Sequence, residues 1–97
     1  MIRHIVLFKM NDSAGEHNSK SLAGDLEALM EKTGGLMKEC VVAFDVVRSD
    51  RSYDLVLDSA FDSLEKLHDY QVHPEHVKVV EKIKRICSST VKVDYEG

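Results

Sequence analysis

The chain reads as one α+β domain with a ferredoxin-like β-α-β-β-α-β order, on three observations. Two-residue alternation marks its first stretch, helix-period apolar stripes follow and precede further strand-like runs, and a single proline interrupts the second helical stretch. Ninety-seven residues suffice for one domain and leave no room for a second core, so residues 1–97 form a single unit.

Ile2, His4, Val6, Phe8 and Met10 alternate with Arg3, Ile5, Leu7 and Lys9, which predicts the first strand. Residues 11–21 are polar and contain Gly15, so a loop is expected there. Leu22, Leu26, Leu29, Met30 and Thr33 then recur at helical spacing, and Gly34-Gly35 supplies a left-handed stop. A second strand is expected over residues 40–47 and a third over residues 53–61. The five polar residues between them allow only antiparallel pairing. Asp62 and Ser63 are both candidate N-caps for the next helix, and Asp62 with Glu65 has the spacing of a capping box. Pro74 ends that helix and starts another, because the residue before proline is driven out of the α region while proline suits a first turn. Val77, Val80, Ile83 and Cys87, flanked by Val79 and Ile86, give the new helix its apolar stripe. Residues 90–95 close the chain as a fourth strand with Val91, Val93 and Tyr95 on one face.

The second strand is apolar on both faces, with Val42, Phe44 and Val46 opposed to Val41, Ala43 and Val47. Strands of that kind are buried on both sides, yet the helices of this plan cover one side only. A homodimer through the uncovered sheet face is the expected cover.

Composition excludes several classes. The net charge of −4 gives no basic stripe for nucleic acid, and the Lys78–Arg85 run is broken by Glu81, Val79, Val80 and Ile83. No apolar stretch approaches the roughly 20 residues of a membrane span, and no signal-peptide core precedes the first strand. Nucleic-acid and membrane partners are therefore not expected, and a cytoplasmic location is. Cys40 and Cys87 form no C-x-x-C and read as free thiols.

Chemistry concentrates in Tyr70-Gln71-Val72-His73-Pro74-Glu75-His76. His76 falls in the first turn of a helix, where the positive dipole end favours a neutral imidazole able to accept a proton. His76 is thus a candidate general base, with Tyr70 as a partner that orients it or donates to an oxyanion. A histidine at a helix start also serves simply as a cap, and that reading stays open. His4, on the strand face shared with Val6 and Phe8, is either a satisfied core histidine or a pocket-lining one, together with His73. A metal would need His4, His73, His76 or His68 to converge with Glu75. The His-x-x-His spacing across a proline is poor ground for it, so neither metal nor cofactor is expected.

Three stretches together resemble the stress-responsive A/B barrel (Dabb) domain, of the dimeric α/β barrel superfamily. They are Arg3-His4-Ile5-Val6-Leu7-Phe8-Lys9, Tyr53-Asp54-Leu55-Val56-Leu57 running to Phe61, and Asp69-Tyr70 with His73-Pro74-Glu75-His76-Val77. Val93-Asp94-Tyr95 fits as well. The resemblance spans essentially the whole chain. It implies a ferredoxin-like fold that dimerises sheet to sheet into an α/β barrel, with a pocket between sheet and helices. A plant polyketide cyclase of this kind would carry its base over to His76, the partner to Tyr70 and a pocket position to His4. Its further tyrosine and histidine have no counterparts here, where Leu26-Glu27 and Leu55 stand. The expectation is therefore a small-molecule-binding dimer without an assigned reaction. The alternative is an enzyme acting on a carbonyl or polyketide-like compound through His76 and Tyr70, in the manner of cyclases or monooxygenase-like barrels.

Overall fold

The computed structural model describes residues 1–11 and 15–97. The elements run β1 (Ile2–Met10), α1 (Gly15–Lys32), β2 (Met37–Phe44), β3 (Leu55–Phe61), α2 (Leu64–Gln71), α3 (Pro74–Ile86) and β4 (Cys87–Glu96). The four strands form one antiparallel sheet in the order β2-β3-β1-β4. This is the ferredoxin-like plan with its second helix split at Pro74, as the sequence predicts.

The helices cover one face of the sheet. Phe8, Leu55 and Leu57 from the strands meet Leu22, Leu26 and Leu29 from α1 in the core, and Tyr70 and Phe61 close it at the other end. The opposite face carries Leu7, Val41, Val91, Val93 and Tyr95, all exposed. A salt-bridge pair crosses that face, in which Arg3 bonds Asp58 at 2.6 Å and Glu39 at 2.8 Å.

Several boundaries differ from expectation. The loop expected over residues 11–21 lies partly outside the described residues. From Gly15 onward it is helix, and Ser19 is buried as the first inward residue of the stripe that Leu22 and Leu26 continue. Strand β2 lies three residues earlier than expected, at Met37–Phe44 rather than 40–47. Its ladder with β3 runs out where Phe44 meets Leu55, so Val46 and Val47 fall outside the sheet in the β2–β3 loop. The two-faced apolar strand therefore shrinks to residues 41–44.

Strand β4 begins at Cys87, not at residue 90. Cys87 pairs with Met10 across a bulge, and this takes it out of the helical stripe. The inward face of α3 is carried by Val79 and Ile86 with Ile83 beside them, while Val77 is exposed.

The capping box at Asp62 and Glu65 does not form. Ser63 is the N-cap of α2 and accepts the Lys66 N–H at 3.2 Å, while Asp62 faces Lys38 at 3.7 Å. Once the chain enters the helix one residue later, the box spacing no longer matches N-cap and N3. The Gly34-Gly35 stop is as expected, with φ of 69° and 86°.

Candidate functional site

The break at Pro74 builds the site. His73, immediately before proline, is extended at φ −64° and ψ 136°, the conformation that proline imposes on its predecessor. From there it caps α3, its Nδ1 accepting the Glu75 N–H at 3.1 Å. The His73 N–H donates to the Tyr70 carbonyl at 3.1 Å, which folds the two helices together tightly. Tyr70, in the last turn of α2, and His76, in the first turn of α3, are brought ring to ring at 4.5 Å between centroids.

Tyr70 is completely buried, and its hydroxyl has no hydrogen-bond partner among the described residues. Its ring also lies 5.0 Å from Phe61 and 6.5 Å from His4. Burial pushes the phenol well above its usual range, and the nearby Cys40 adds to this, so the group stays protonated and is a donor.

His76 is half-buried. Its Nδ1–H donates to the Gln71 carbonyl at 3.0 Å, which leaves Nε2 as the acceptor nitrogen of the neutral ring. Burial lowers the imidazole pKa. The Gln71 bond works against this, and the neighbouring His4 and His73 reinforce it. A neutral His76 matches the reading from sequence. The first cause is desolvation, however, rather than the helix dipole, and the residue that orients the ring is Gln71 through its backbone, rather than Tyr70.

His4 is buried on β1, against Phe61 at 6.1 Å, and its Nδ1–H donates to the Asp94 carboxylate. Asp94 stands directly opposite His4 in the β1–β4 ladder and also accepts from Lys92. Burial pushes Asp94 upward, but the bonds from Lys92 and His4 together outweigh it and hold the carboxyl below its ordinary pKa. Asp94 is the member of this cluster that sequence reading missed. Only the strand register could have found it.

His4, Tyr70 and His76 thus come together, with Asp94 behind His4, whereas the His73 ring is committed to capping. Two cavities lie at the other end of the sheet and border none of these four residues. One, of about 620 Å³, lies between the start of α1 and the β2–β3 loop and is lined by Lys9, Glu16, Phe44, Arg48 and Asp54 among others. The second, of about 200 Å³, is lined by Leu7, Tyr53 and Val56 with the start of that loop. Among the described residues no group of three or more His, Cys, Asp or Glu side chains is arranged to hold a metal ion. No described helix is long and apolar enough to cross a membrane.

The similarities to known proteins agree with this architecture. An uncharacterized protein of Streptomyces coelicolor is 36% identical over 100 residues, covering 99% of each chain. A stress-response A/B barrel domain-containing protein of Arabidopsis thaliana is 33% identical; the match takes in 98% of this chain but 36% of the plant protein, so this chain spans about a third of that relative. A solved structure from Bacteroides fragilis, described as a dimeric protein of unknown function with a ferredoxin-like fold, superposes with a TM-score of 0.81 at 28% identity, covering 99% of this chain and 95% of that one. The family model of the stress responsive A/B barrel domain, Dabb, matches residues 2–97. With the split helix, the uncovered sheet face and this match over nearly its whole length, the chain belongs to the stress-responsive A/B barrel family.

Proposed function

We propose that the protein acts as a homodimer, packed sheet to sheet into an α/β barrel, and that each subunit binds a small molecule between sheet and helices beside Tyr70 and His76. The observation that carries the binding reading is the Tyr70 hydroxyl, a donor buried without a partner among the described residues. Leaving such a group unpaired costs about 1–3 kcal/mol, which an occupant able to accept its hydrogen bond would recover. The His76 ring lies 4.5 Å from the Tyr70 ring between centroids, and with Nδ1–H donating to Gln71 its Nε2 is the acceptor nitrogen. A donor and an acceptor on two neighbouring rings suit a molecule with a carbonyl oxygen and a hydroxyl. The site reaches solvent at the half-buried His76. The dimer is supported by the apolar outer sheet face and by the dimeric Bacteroides fragilis neighbour.

The test uses acetylacetone and 2-hydroxyacetophenone as probes at millimolar concentration. The ring nitrogens of ¹⁵N-labelled His76 should shift on titration, and Tyr70→Phe and His76→Ala should each weaken the binding. Resonances unmoved by either probe in the wild-type protein would overturn the reading.

A second reading, an enzyme acting on a carbonyl or polyketide-like compound, is favoured by one observation: Gln71 fixes the His76 tautomer that has Nε2 free to take a proton. On this reading His76 is the general base and Tyr70 stabilises the resulting oxyanion. Exchange of deuterium from D₂O into the α-carbon of a bound ketone, lost in His76→Ala, would separate catalysis from binding alone.

A further inference from the structure

Cys40 on β2, Ser59 on β3, His4 on β1 and Asp94 on β4 are successive partners in the three strand ladders. Directly opposed residues project from the same face of a sheet. One polar row therefore crosses all four strands on the helix side, where His4 is buried with its ring 6.5 Å from that of Tyr70. Along this row the Ser59 hydroxyl donates to the His4 carbonyl at 2.8 Å, and His4 bonds Asp94. Cys40, at the other end, is a half-buried free thiol packed against the core. It lies close enough to Tyr70 to help push the phenol up. The Tyr70 hydroxyl is fully buried and has no partner among the described residues, so a spare hydrogen-bond donor stands near a thiol.

Cys87 offers an internal comparison. It too is a half-buried free thiol, but it pairs with Met10 at the far end of the sheet, its Sγ 3.9 Å from the Met10 sulfur. Burial is the first cause that pushes each thiol up, with Glu27 adding to it at Cys40 and Asp54 at Cys87. Both are protonated at neutral pH, and neither is a strong nucleophile by itself. What separates them is the donor near Cys40.

We propose that Cys40 is a covalent attachment point for α,β-unsaturated carbonyl compounds, which are seated by a hydrogen bond from Tyr70 to their carbonyl oxygen. The proposal rests on the binding site beside Tyr70 and narrows its ligand class. The Cys40 Sγ bonds to the β-carbon while the C=C electron pair moves towards the oxygen, giving an enolate that the Tyr70 hydroxyl stabilises. The S–H proton ends on the α-carbon. The product is a saturated thioether, so atoms and electrons balance without a co-reactant. Holding the two reactants in place supplies the rate that an unactivated thiol lacks.

The test follows adducts of the full chain with 3-penten-2-one, located by peptide mass spectrometry. Iodoacetamide serves as a second probe, since it alkylates thiols by displacement and forms no enolate. In the wild type the enone should modify Cys40 at least about tenfold faster than Cys87. Tyr70→Phe should slow the enone at Cys40 alone by at least about tenfold, with the iodoacetamide rates unchanged. Should Tyr70→Phe perturb the fold, the enone preference for Cys40 over Cys87, divided by that of iodoacetamide, decides. Equal enone rates at the two thiols would overturn the proposal, as would a Tyr70→Phe loss that iodoacetamide shares, because access alone would then have changed. If the proposal failed while acetylacetone still shifted the His76 nitrogens, the site beside Tyr70 would stand without Cys40. If both signals were missing, site and attachment would fall together.

Discussion

Tyr70 and His76 lie ring against ring, 4.5 Å apart, although Gln71, Val72, His73, Pro74 and Glu75 separate them in the chain. The proline break makes this possible. An unbroken helix would place residues six apart on different faces, whereas the turn at Val72 and His73 folds α3 back over the end of α2. His76 then heads the inward stripe that Val79, Ile83 and Ile86 continue.

Removing the Tyr70 hydroxyl tests whether it is unpaired in the free protein. Tyr70→Phe deletes a buried donor with no partner, so stability should stay level or rise, by up to about 1–2 kcal/mol. Urea denaturation of the ligand-free protein measures this. A loss above 1 kcal/mol, on the order of a broken hydrogen bond, would mean that the hydroxyl has a partner.

Acid should act in two stages. The His76 pKa is lowered below 6.5 in the folded state, so the unfolded chain takes up the proton first. Stability is therefore full above the unfolded value and falls as pH drops below 6.5 towards the folded pKa. Asp54 and Asp94 are lowered from 3.8, so their contribution persists to lower pH and disappears below that value. His76→Gln should flatten the upper stage and leave the lower one. Thermal melts at pH steps across both windows check this, and an unchanged upper stage in the variant would contradict it.

The start of α2 separates two candidate caps. Ser63→Ala should cost about 1 kcal/mol, since the serine accepts the Lys66 N–H, whereas Asp62→Ala should cost only a few tenths, because the lost contact is an exposed ion pair. Chemical denaturation of the two variants gives the order, and the reverse order would restore the capping box at Asp62.

His73 is assigned to the cap of α3. His73→Asn keeps a side-chain acceptor for the Glu75 N–H and should retain wild-type stability, while His73→Ala should lose about 1 kcal/mol. Probe binding at His76 should survive in His73→Asn. If His73→Asn lost the binding while keeping its stability, the ring would belong to the site as a pocket-lining group.

The order of elements along the chain, the glycine stop and the split at Pro74 were legible because each rests on local chemistry. Alternation marked β1, Gly34 and Gly35 accept positive φ, and proline dictates its predecessor's conformation. Strand ends were less legible because a partner determines them. Val46 and Val47 have strong strand propensity, yet β3 begins only at Leu55 and offers them no continuation of the ladder. The start of β4 was hidden by Ser88 and Ser89, which meet Lys9 and Met10 only through tertiary contact: Ser89 pairs with Lys9, and the Ser88 hydroxyl reaches the carbonyls of both. In the site, Tyr70, His73 and His76 announced themselves around the only proline. Asp94 did not, because its place behind His4 depends on the β1–β4 register. The Gln71 carbonyl did not either, since a backbone acceptor leaves no mark in a sequence.

The proposed binding site beside Tyr70 is tested most directly by the tautomeric state of His76 in the free protein, read from its ring ¹⁵N shifts at neutral pH. The expected result is a neutral ring with the proton on Nδ1, bonded to Gln71, and an unprotonated Nε2 on the ring that packs against Tyr70. A proton on Nε2 would contradict it, because His76 would then offer a ligand no free acceptor.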